Sequence, residues 1–159
     1  MKTSFYTLCL GTILLFISCQ QNNSNTIEKI KEEEVLNALD ELFEIVDKDI
    51  DHIEDIVTED YFIFENSRKY STEEFVEYVK SFGKFESKRD FANIEIDTDI
   101  NSAHLSMNHH GEFDLQSESG KIRMIYDWIE SAYLVKSDDK LKFKFFFSEV
   151  TYDTIIPLD

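Results

Sequence analysis

The chain has 159 residues, with 33 Asp and Glu against 16 Lys and Arg, and a formal net charge of −17. This acid excess excludes a nucleic-acid surface, which needs a basic stripe to release phosphate counterions; Arg68-Lys69, Lys84 with Lys88-Arg89, and Lys140-Lys142-Lys144 read as solvated edges. Hydrophobic residues at 42% and aromatic residues at 14% set the chain apart from the disordered class. Its 4 glycines, at positions 11, 83, 111 and 120, leave no Gly-rich phosphate loop and no Gly-x-Ser-x-Gly nucleophile elbow.

At the N-terminus Lys2 precedes an apolar run from Phe5 to Ile17, which ends in Ser18-Cys19 and gives way to Gln20-Gln21-Asn22-Asn23-Ser24-Asn25. The run falls short of the ~20 apolar residues that a bilayer core requires. It resembles the signal peptide of a bacterial lipoprotein, cut before Cys19 once lipid is attached to the sulfur. That resemblance implies a signal at 1–18, a polar tether at 19–27 and a single domain at 28–159. The protein is then exported and held in the cell envelope by the lipid on Cys19, with Gln20 favouring the outer membrane. Only Lys2 is charged among residues 1–18, so the mature charge is −17 − 1 = −18. Cys9 leaves with the signal, so Cys19 is the mature chain's only thiol and no internal disulfide forms. With that charge, membrane attachment rests on the lipid rather than on anionic headgroups.

From about Ile27 a helical period places Val35, Leu36, Leu39, Leu42, Phe43 and Val46 on one stripe. A short second helix is expected from Asp49 or Asp51, burying Ile53, Ile56 and Val57. Tyr61 to Glu65 reads as a strand and Asn66-Ser67-Arg68 as a polar turn. Ser71-Thr72-Glu73-Glu74 offers a capping box for a third helix that runs through Phe82 and stops at Gly83. From Phe91 onward the period becomes alternating. Four long strands are predicted, at 91–99, 102–116, 121–136 and 141–152, joined by short polar turns as an antiparallel meander. Three helices followed by one sheet make an α+β layout with the helices on one sheet face.

The order of these segments resembles the nuclear transport factor two-like superfamily, in its SnoaL-like bacterial branch, over roughly residues 35–152. The resemblance is carried by Ala38 to Phe43 with Asp47 to Asp51, by Val57 to Glu65, by Tyr70 to Phe75, and by the closing hairpin from Ala132 to Phe143. It implies a cone, or cystatin-like roll, in which helices pack on a strongly bent antiparallel sheet and leave a pocket at the wide end. Members include isomerases, cyclases, dehydratases, hydrolases and plain binding or dimerising modules, so the fold does not choose the function. The chain departs from the family where many relatives carry Trp, at Leu141, and where they carry His, near Phe147.

Several side chains are candidates for a ligand pocket. Alternation gives Phe143, Phe145 and Phe147 a shared, inner face, where they either fill the core or line an apolar pocket. Trp128, Glu130 and Tyr133 lie on the long third strand of the meander, and Phe64 on the first strand of the chain. On the second strand of the meander His104, Ser106, Asn108, His110 and Glu112 alternate with Ala103, Leu105, Met107 and His109. The pleat turns the apolar set inward and the first set to water. With the first set inside instead, His110 with Glu112 or Glu130 makes an acid–base pair. A bulge near Gly111 reverses the faces beyond it.

Asp47, Asp49 and Asp51 imitate the start of a calcium loop, but His52 stands where the turn needs Gly and Thr58 where a bidentate Glu is needed. His109 and His110, adjacent on a strand, point to opposite faces. Neither a metal nor a cofactor is expected. The sequence therefore points to a lipid-anchored module that holds a small apolar or amphipathic ligand beneath Phe64, Trp128, Tyr133, Phe145 and Phe147, with His110 and Glu130 as further pocket candidates. The alternatives are an enzyme of the polyketide cyclase or isomerase type and a homodimerising interaction module.

Overall fold

The computed structural model describes residues 28–118, 120–138 and 140–158; the apolar N-terminal run, Cys19 and the tether lie outside the described residues. Helix α1 (Glu32–Lys48) is followed by a 3₁₀ helix (Ile50–Asp55), strands β1 (Val57–Glu65) and β2 (Arg68–Ser71), helix α2 (Thr72–Lys80), and the long strands β3 (Phe85–Thr98), β4 (Ser102–Ser117), β5 (Gly120–Ser137) and β6 (Lys140–Pro157). They form one six-stranded sheet in the order β2-β1-β6-β5-β4-β3. The last four strands pair antiparallel in sequence, as the alternation and polar turns predict, and β1 joins parallel to β6.

The helices differ from the sequence reading in kind and place. The second is a tight 3₁₀ segment that buries Ile50 and Ile53, and Val57 opens β1. The β1–β2 hairpin then separates it from α2. Asn66 and Ser67 turn that hairpin with φ of 51° and 59°, the left-handed backbone that a two-residue connection between twisted strands needs. Helix α2 starts on the predicted capping box: Ser71 Oγ accepts from the Glu74 amide at 3.3 Å and Glu74 Oε2 accepts from the Ser71 amide at 3.0 Å.

Helix α1 buries Val35, Leu39 and Leu42, and α2 buries Phe75 and Val79, against one face of the sheet. That face supplies Ile63, Ala103, Leu105, Met107, Ala132, Leu134, Phe143 and Phe146. Register shifts bend the sheet at Ala92/Glu95 in β3, where Asn93 has φ of 52°, and at Asp127/Trp128 and Tyr133/Leu134 between β5 and β6. No shift interrupts β4 against β5, which stay in step from Ser102 to Ser117 through Gly111. The faces expected for β4 therefore persist to its end.

Candidate functional site

Between the two helices and the inner sheet face lies a cavity of about 130 Å³. An apolar cavity of about 150 Å³ holds one benzene molecule, so the space suits a ligand with roughly one ring. Its buried end is walled by Leu42, Ile63, Phe75 and Phe146, and its more open end by Phe82, Phe85, Leu115 and Met124.

Strand parity selects the polar residues that face it. On β1, Tyr61, Ile63 and Glu65 alternate inward; on β5, Trp128 and Glu130 do so; on β4 the inner histidine is His109. His109 Nδ1 lies 3.1 Å from Glu130 Oε2, and the other Glu130 oxygen accepts from Ser148 Oγ at 3.1 Å. His109 Nε2 lies 3.1 Å from Arg89 Nη1. A guanidinium nitrogen only donates, so Nε2 accepts and the imidazole proton sits on Nδ1, donated to Glu130. Arg89 is in turn held by Asp47 at the end of α1, through Nε to Oδ2 at 2.9 Å and Nη2 to Oδ1 at 2.6 Å. The Arg89 guanidinium lies over the rings of Phe43 and Phe113, at 4.7 and 4.8 Å.

Trp128 stacks on His109 with centroids 4.6 Å apart and on Tyr126 with centroids 5.0 Å apart. Gly111 makes room for this stack, since a Cβ there would come within 2.8 Å of the Trp128 ring and 2.7 Å of Phe113. Among the described residues two donors on the cavity wall lack a well-formed hydrogen bond: the buried Tyr61 hydroxyl, and the Trp128 indole N–H, which lies beside the Glu65 carboxyl. Burial pushes the Glu65 carboxyl up to about 7; the Glu130 and Glu149 carboxylates push the same way, against the opposing effect of Ser148 and Trp128 beside it. Burial likewise raises Tyr61 and Tyr78, with Glu65 adding to both.

Of the seven pocket candidates read from the sequence, Trp128 and Glu130 line the cavity. Phe64, His110, Tyr133, Phe145 and Phe147 lie on the opposite sheet face. The physical reason on β6 is the shift at Lys144: Leu134 pairs with Phe143 but Tyr133 with Phe145, so the inward set runs Phe143, Phe146, Ser148. Phe145 instead meets Phe62 and Phe64 on the outer face, with centroids 5.1 and 6.1 Å away. Tyr133 and Phe64 are each 39% exposed. His110 belongs to the outward set of β4, where Asp127 Oδ1 lies 2.6 Å from its Nδ1 and raises its pKa; Glu112 is 3.7 Å from its Nε2. The proposed His110–Glu130 pair is therefore split by the sheet.

The sequence reading gives no role to Glu65, takes Arg89 as part of a solvated basic edge although its side chain is 12% exposed, and places His109 on the inward set of β4 without a role. Their signal was a charged or polar residue on the buried parity of an otherwise apolar strand, clear for Glu65 after Tyr61 and Ile63. Asp47, Asp49 and Asp51 diverge: Asp47 binds Arg89, Asp51 binds Lys80, and Asp49 lies 3.5 Å from His52.

No protein-family model matches the chain, and no curated protein matches it in sequence. Solved structures do. The chain is similar to the hexachlorocyclohexane dehydrochlorinase LinA-type3 from Novosphingobium barchaimii, at 14% identity over 78% of this chain and 88% of that one, with a TM-score of 0.63. It is also similar to the association domain of CaMKII from C. elegans, at 11% identity over 74% and 93%, with a TM-score of 0.61. An uncharacterised protein with a cystatin-like fold from Caulobacter vibrioides matches at 12% identity over 76% and 89%, with a TM-score of 0.60. The chain thus has a cystatin-like α+β fold.

Proposed function

We propose that this protein is a small-ligand-binding module, held at a membrane surface by lipid on Cys19. The observation that carries the reading is the aromatic cavity whose wall holds two donors, Tyr61 O–H and Trp128 N–H, without a well-formed hydrogen bond among the described residues. Buried polar groups are normally satisfied, so such donors in a cavity of ring size mark a place for a guest. The comparison proteins include an enzyme, but here the basic nitrogen of the inner histidine already accepts from Arg89, which favours holding a ligand over abstracting a proton. The anchor and the envelope location rest on the N-terminal sequence alone.

Native mass spectrometry of the full-length chain, followed by denaturation, tests the reading. A small molecule should leave the wild type and be lost from Tyr61→Ala and Trp128→Ala variants that remain folded by circular dichroism. Unchanged retention in both variants contradicts it. Loss of membrane association on Cys19→Ser tests the anchor separately.

A second reading, self-association, is favoured by the outer sheet face. Phe62, Phe64, Tyr133, Phe145, Phe147 and Ile129 lie together there, with Ile129 46% exposed. Exposed apolar patches of this kind mark protein contacts.

A further inference from the structure

The charges around the cavity do not balance. Among the described residues Arg89 is the only Lys or Arg on its wall, and Asp47 neutralises it with a two-point contact. Two carboxylates remain. Among the described residues Glu130 receives hydrogen bonds from His109 and Ser148 but pairs with no Lys or Arg, and Glu65, with Ser148 and Trp128 beside it, forms no ion pair. A buried carboxylate without a counter-ion is costly, and an anionic guest would add to that cost. A cationic guest removes it.

The wall fits such a guest in two further ways. Tyr61, only 4% exposed, presents a hydroxyl with no partner, whose oxygen can accept from an ammonium. The rings of Phe113, Tyr126 and Trp128 meet at 5.0 to 6.3 Å and present π faces, which attract organic cations once water is excluded. We propose that the cavity takes a small organic cation, an amine carrying about one ring, with Glu65 as its counter-ion and Tyr61 and Trp128 as its wall. This inference rests on the ligand-binding reading and sharpens it to a chemical class.

Groups facing Glu65 come from every side: Tyr61 on its own strand, Glu130 and Tyr126 from β5, Glu149 from β6 and Tyr78 from α2. None of these is a cation, so a bound ammonium supplies the missing charge. It should bind best when Glu65 is ionised, above pH of about 7.

The test is calorimetric titration of the full-length chain with benzylamine and with benzyl alcohol, which share shape and differ in charge. At about pH 8 the amine should bind on the order of tenfold more tightly than the alcohol. The preference should shrink at about pH 6, where Glu65 is protonated and benzylamine is still charged. It should also be lost in Glu65→Gln, with binding of the alcohol retained. Equal affinities in the wild type overturn the cation proposal and leave the binding reading standing. So does a preference that survives Glu65→Gln. If neither probe binds, both fall. The wild-type comparison holds even where the variant fails to fold.

Discussion

Glu65 reaches the cavity because it shares the inward parity of Tyr61 and Ile63, and its burial links folding to pH. Its carboxyl titrates near 7 in the folded chain against an ordinary value of 4.5, so between these pH values the native state holds a proton that the unfolded chain has lost. Stability therefore falls as pH rises from 4.5 to 7, by about 3 kcal/mol in all, and is flat above that as far as this group is concerned. Urea unfolding of wild type and Glu65→Gln at about pH 5 and about pH 8 should show this loss in the wild type only. Parallel behaviour of the two proteins would mean that the carboxyl is solvated. At this scale the sequence was partly legible. Trp128 and Glu130 could be found because their strand was long and its neighbours apolar. His109 was legible as an inward residue of β4 but its partners were not; Arg89 was not legible, because a charge on a strand is usually solvated and only the tertiary contact with Asp47 reveals that it is turned inward.

The meander was legible as elements because three short polar turns separate runs of alternating residues. Two elements were not. Strand β2 and the first half of β3, Phe85 to Asp90, carry charges on six of their ten residues, so alternation has no continuous apolar face to report. On β6 three consecutive phenylalanines, Phe145 to Phe147, give no parity signal, and the extra residue at Lys144 passes unnoticed. That bulge decides which phenylalanine is core. Phe146→Ala should cost about 4 kcal/mol in urea unfolding, since its ring is 3% exposed, whereas Phe145→Ala should cost about 1.5 kcal/mol. Reversed costs would place the bulge elsewhere. Gly111 acts at the same scale: a residue legible only as a break in β4 leaves space for the Trp128 stack.

Over the whole molecule the two sheet faces divide the work: one is closed by helices around the cavity, the other is open, aromatic near β1 and β6 and charged near β3 and β4. If the open face mediates self-association, sedimentation of the full-length chain at micromolar concentration should show a dimer. Replacing Phe64 and Phe145 together by Lys should give a monomer with its cavity intact. A monomeric wild type would remove this reading without touching the ligand site.

The parallel pairing of β1 with β6 carries a consequence for how the chain is made. Strand β1 pairs locally with β2, but its second partner, β6, emerges about 75 residues later (65 to 140), so the β1–β2 hairpin cannot join the rest of the sheet before then. Such long-range closure slows folding and keeps the unfinished chain open. A product cut short before β6 is left with the β1–β2 hairpin detached from the β3–β5 meander rather than with a smaller working protein.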